Sequence, residues 1–76
     1  MLLLVLNCGS SSIKADVIDP ATGARSVQAR AQRVGTPSAT LRIDGDETSA
    51  IAGLPMVTAV EAVVHRVVAA LPAGAV

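Results

Sequence analysis

The sequence predicts an α/β fold, an antiparallel strand meander followed by one helix, and three observations predict it. A short apolar run, Leu2-Leu3-Leu4-Val5-Leu6, opens the chain with the length and branching of a buried strand. Apolar and polar residues then alternate with a period of two, interrupted by Gly- and Pro-containing turns. Towards the other end the period becomes helical, with Val60, Val63, Val64, Val67, Val68 and Leu71 in one stripe.

Each element follows from its residues. The first strand is expected over about 2–7, buried on both faces, and the second over 12–19. In the second, Ile13, Ala15 and Val17 lie on one face and Lys14 and Asp16 on the other. Asp19-Pro20-Ala21-Thr22-Gly23 is turn chemistry, Pro fixing φ and Gly permitting positive φ. A third strand over 24–34 sets Val27, Ala29 and Ala31 against Gln28, Arg30 and Gln32, with Arg25, Arg30 and Arg33 as an exposed face. Gly35-Thr36-Pro37-Ser38 breaks it, and a fourth strand is expected over 39–44. Asp44-Gly45 is a tight-hairpin dipeptide leading to a return strand over 46–51, and Ala52-Gly53-Leu54-Pro55 is a linker.

The helix is expected over about 58–71. Thr58 with Glu61 three residues on forms a capping box, and Pro72 and Gly74 end the helix. Its valines lower intrinsic helix propensity, so packing on the sheet must stabilise it. Ala75-Val76 reads as the start of another strand, so the chain is expected to be the N-terminal piece of something longer.

Composition narrows the function classes. Seventy-six residues allow one domain at most, and a core without Phe, Tyr or Trp must be built from smaller apolar side chains. A formal net charge of zero and the lack of a basic cluster give no sign of a nucleic-acid or anionic-membrane partner. A single cysteine forms no internal disulfide, which reads as an intracellular, cytoplasmic chain. Met1 to Leu6 has no basic n-region, is shorter than a signal-peptide core and is far too short to span a bilayer.

The chemistry concentrates at Asn7-Cys8-Gly9-Ser10-Ser11-Ser12-Ile13-Lys14. A strand, a Gly/Ser turn and a lysine just past it suit a polyphosphate: Gly admits close backbone approach, N–H groups and hydroxyls donate, and Lys14 adds a compact charge. The same residues also read as a Ser-rich β-turn with a solvated lysine, and pattern alone leaves both open. Neither a Walker-type loop nor a dinucleotide fingerprint is present. Cys8 reads as a small packed thiol, with no base near it in sequence. His65 and Glu61 are spaced as an i,i+4 helical pair serving local stability. Asp44, Asp46 and Glu47 surround a turn glycine, but their spacing is not that of a calcium loop.

The run from Leu4 to Lys14, N-C-G-S-S-S-aliphatic-K at its centre, closely resembles the N-terminal signature of acetate kinases and their propionate kinase relatives. These belong with the sugar kinases, heat-shock proteins and actin in one superfamily. The resemblance is specific over about the first quarter of the chain; beyond it only the order of elements is similar. It implies part of a ribonuclease-H-like (actin-like ATPase) domain and transfer of phosphate from ATP, with Mg²⁺, to acetate or a similar short carboxylate. Carried over by position, Asn7 would help hold Mg²⁺, while Gly9, Ser10, Ser12 and Lys14 would contact the ATP phosphates. The family's catalytic groups would lie beyond residue 76, so no residue here, His65 included, takes their roles, and the 76-residue chain alone is expected to be inactive. A homodimer is implied for the full-length parent.

Overall fold

A computed structural model describes residues 1–71. Five strands, β1 (Leu3–Cys8), β2 (Ile13–Ile18), β3 (Arg25–Gln32), β4 (Thr40–Ile43) and β5 (Asp46–Thr48), precede one helix, α1 (Met56–Ala69). The strands form one antiparallel sheet in sequence order, β1 and β5 at its edges. The fold is therefore α/β, a meander closed on one face by a helix. Pro72, Gly74, Ala75 and Val76, read above as the helix stop and a strand start, lie outside the described residues.

Period-two alternation sorts β2 and β3 into two faces. Ile13, Ala15 and Val17 of β2 and Val27, Ala29 and Ala31 of β3 are buried, and α1 packs against these two strands. The helix contributes Ala59, Val63 and Val67 to the core. Alanines at 15, 29 and 59, all fully buried, let the helix backbone approach the sheet closely. Leu41 and Ile51 complete the interior at 0% exposure.

Several expectations are corrected. The first strand is an edge strand, not one buried on both faces: Leu3, Leu4, Val5 and Leu6 are 43, 43, 47 and 41% exposed. The physical reason is the position of α1, which covers β2 and β3 and leaves β1 open on both faces. An apolar groove of about 430 Å³ remains between β1 and α1, lined by Leu2, Leu4, Val17, Val67, Val68 and Leu71 among others.

The helix begins two residues before the sequence reading and ends at Ala69. Pro55 is its N-cap at φ −66°, and its carbonyl accepts from Ala59 N–H at 2.8 Å. Thr58 therefore sits inside the first turn, where it cannot cap, and no side chain bonds the N-terminal N–H groups. The buried stripe runs Ala59-Val63-Val67, with Val68 56% exposed. β5 ends at Thr48, so Ile51 is a buried plug in the connection and not the end of a strand.

Asp44-Gly45 makes the hairpin between β4 and β5 with positive φ at both residues, 50° and 90°, the two-residue turn that suits strand twist. Asp44 also bonds sideways. Its Oδ1 accepts from Gln28 N–H and its own N–H donates to Gln28 C=O, both at 2.9 Å. The tip is thereby tied to β3.

Candidate functional site

The β1–β2 hairpin brings the predicted residues together. Cys8 pairs with Ile13, so Gly9 to Ser12 form the loop, closed by Gly9 N–H donating to Ser12 C=O at 2.8 Å. Asn7 pairs directly with Lys14. Directly opposite residues share a face, with Cβ atoms about 5 Å apart. Since Ile13 and Ala15 point into the core, Asn7 and Lys14 stand on the open face, away from α1.

The loop is anchored from behind. Ser11 C=O accepts from Val34 N–H at 2.9 Å, and Val34 is buried. Arg33 at φ 55° and Gly35 at φ 92° turn the chain after β3 so that this N–H faces the loop. Thr36 C=O in turn accepts from Gly53 N–H at 2.9 Å, tying the bend to the segment around buried Ile51. Sequence reasoning missed this brace; the Gly35-Thr36-Pro37 break was its only signal.

Space at Gly9 is tight. A Cβ there would lie 2.7 Å from Ser12 Oγ, so glycine is what permits the present position of that hydroxyl. Ser10 and Ser11 are exposed, Ser12 half-buried and Lys14 exposed. Among the described residues Lys14 forms no ion pair, and it is exposed, as is Asn7 opposite it. Ser10, Ser11 and Lys14 thus present exposed donors, while the Gly9 N–H closes the loop and Ser12 is half-buried.

Other candidates fall away from this place. Cys8 is exposed, contrary to the packed thiol expected, because its strand lies at the open edge. His65 and Glu61 are both exposed on α1, the layer opposite Lys14, and no hydrogen bond or ion pair joins them among the described residues. Arg30 is not a free exposed arginine: its Nη1 donates to Asp16 Oδ1 at 3.0 Å and to Ala29 C=O at 2.7 Å. Asp44 is engaged with Gln28 and Glu47 with Arg42. No group of three or more His, Cys, Asp or Glu suited to a metal occurs among the described residues. The neutral oxygens at the hairpin are the Asn7 carboxamide and the hydroxyls of Ser10, Ser11 and Ser12.

Comparison with known proteins decides the family. The model of the acetokinase family matches residues 2–73. The chain belongs to the acetokinase family. It is 39% identical over 74 residues to the acetate kinase of Vibrio campbellii, covering 93% of this chain and 19% of that protein. It is 34% identical over 87 residues to that of Deinococcus radiodurans, covering 90% and 22%. Acetate kinase 2 of Neisseria meningitidis matches at 44% over 45 residues, covering 59% and 11%. The chain spans about a fifth of the length of the first two relatives. The hairpin at residues 7–14 sets serine hydroxyls and Lys14 on a backbone braced by Val34.

Proposed function

We propose that this chain supplies the phosphate and metal clasp of an ATP-dependent kinase that transfers a phosphoryl group to acetate, yielding ADP and acetyl phosphate. The observation that carries the reading is Asn7 opposite Lys14 beside an open Gly/Ser loop, in a chain of the acetokinase family. The donor set fits both groups. Serine hydroxyls, loop N–H groups and an unpaired ammonium suit phosphate oxygens, and a neutral carboxamide oxygen suits a hard cation or its waters.

In this reading Lys14 holds the phosphates and offsets charge that develops on them during transfer. Ser10 and Ser12 donate to phosphate oxygens, Gly9 lets the phosphate approach the backbone while its N–H closes the loop, and the Val34 brace keeps the loop from adjusting, which limits the ordering cost of binding. Asn7 would help hold Mg²⁺ through its carboxamide oxygen, and the ion would supply charge neutralisation at the phosphates. The domain is read as the start of a ribonuclease-H-like fold, in a parent that is cytoplasmic and dimeric. No helix among the described residues is long and apolar enough to cross a membrane.

Groups that act on the acceptor are assigned to sequence outside this chain, so the chain alone is inactive. The clasp touches no acyl group, so propionate kinase is the alternative within this reading. A truncated, non-catalytic nucleotide-phosphate-binding module is the second reading, since the hairpin holds phosphate-binding groups and no acceptor-binding ones. A chimera tests the proposal: residues 1–71 replace the matching segment of the Vibrio campbellii acetate kinase. Acetyl phosphate formation by the chimera, lost with Lys14→Ala, is expected; a well-folded but inactive chimera would contradict it.

A further inference from the structure

The open face of the sheet carries a row of side chains of which the nucleotide reading uses only the first two. Strand register sets Asn7, Lys14, Arg30, Arg42 and Glu47 opposite one another in a single line from β1 to β5. Lys14, Arg30 and Arg42 thus occupy three adjacent strands, and like charges directly opposite each other destabilise a sheet. Two carboxylates offset them unequally. Asp16 grips Arg30 through Nη1 at 3.0 Å and Nη2 at 3.4 Å, with the side chains only 31% and 16% exposed. Glu47 reaches Arg42 by one contact at 3.3 Å, with the side chains 61% and 56% exposed. Exposed single-contact pairs of this kind contribute little. Arg30 is therefore fixed, and Arg42 is free to exchange its partner.

Between the two arginines lies a cleft of about 210 Å³, lined by Arg30, Gln32, Thr40, Arg42 and Glu47. Gln32 and Thr40 are themselves cross-strand partners, and neither side chain has a hydrogen-bond partner among the described residues. The place thus holds two guanidinium groups, a carboxamide and a hydroxyl. Each guanidinium group faces one carboxylate, Asp16 or Glu47, and Asp44 lines the neighbouring hollow with the same two arginines.

We propose that this cleft binds a small tetrahedral oxyanion, a phosphate or phosphoryl group, between Arg30 and Arg42. Guanidinium forks match phosphate oxygens two at a time, and the anion relieves the repulsion across β3 and β4. Arg30, held by Asp16, is pre-positioned. Arg42 swings from Glu47 to the anion, so Glu47 acts as an internal competitor. The site is independent of the proposed nucleotide clasp, since Lys14 does not line it.

The test is a titration of the ¹⁵N-labelled chain with inorganic phosphate at constant ionic strength, with chloride as the control anion. Saturable shifts at Gln32, Thr40 and Arg42 are expected with phosphate and not with chloride. Arg42→Gln should weaken binding about tenfold, the loss of one charge-assisted contact. Glu47→Gln should tighten it by removing the competitor, an effect that mere loss of structure would not produce. Lys14→Ala should leave these shifts in place. Equal shifts with chloride, shifts confined to residues 9–14, abolition by Lys14→Ala, or no tightening in Glu47→Gln would each overturn the proposal.

Discussion

Asn7 and Lys14 stand directly opposite each other across β1 and β2, a carboxamide side chain facing a lysine at the base of a Gly/Ser loop. In the sequence they are seven residues apart; antiparallel pairing through a four-residue loop puts them on one face. Asn7→Ala is expected to remove the metal-dependent part of nucleotide binding and spare binding of ATP without Mg²⁺. Calorimetry with and without EDTA measures the split, and an equal loss in both conditions would refute the metal role.

Gly9 sets the position of Ser12. An added Cβ would meet Ser12 Oγ at 2.7 Å, and the hydroxyl can rotate away at small cost. Gly9→Ala should therefore change stability by less than about 1 kcal/mol while weakening phosphate binding at the loop. Chemical denaturation paired with a binding titration separates the two; a large stability loss with intact binding would contradict this.

Leu41 is fully buried and carries a large share of an aromatic-free core. Leu41→Ala should cost about 2–5 kcal/mol, which is a large fraction of the stability of so small a chain. Urea melts followed by circular dichroism check it. A cost below about 1 kcal/mol would mean that Leu41 is not packed in the core as described.

Asp16 holds Arg30 in place from β2. Asp16→Asn keeps the shape, removes the charge and leaves Arg30 and Lys14 opposite each other without relief. A loss of about 1 kcal/mol is expected, larger at low salt than at high salt. Melting in low and high sodium chloride reads the difference, and a salt-independent effect would argue against an electrostatic origin.

β1 is an open, apolar edge, a template for pairing with another chain. Val5 lies opposite Asp16 on the sheet's open face. Val5→Lys puts a charge on the edge beside a carboxylate, and should raise the concentration at which the chain self-associates. Sedimentation velocity over a concentration series decides; unchanged association would place the contact elsewhere.

Much of the meander was legible because alternation is a direct image of the pleat. Val27, Ala29 and Ala31 against Gln28, Arg30 and Gln32 could only be sorted one way once one face was covered. Asp44-Gly45 carried its turn in its own dihedral preferences. What failed was information held in other parts of the fold. The apolar run of β1 looks alike whether a strand is central or at an edge, and only the position of α1 shows that this one is uncovered. The capping pattern at Thr58 was overridden by Pro55, whose fixed φ begins the helix earlier. The brace from Val34 to Ser11 joins residues far apart in sequence through backbone atoms, which no side-chain pattern reports.

The most direct test of the account is Mg²⁺-ATP binding to the 76-residue chain, followed by NMR and compared with Lys14→Ala. The account predicts weak, saturable shifts at residues 7–14 that the substitution abolishes while the spectrum stays dispersed. A folded chain that shows no such shifts, or shifts that persist without Lys14, would contradict the claim that this hairpin is a preformed phosphate clasp.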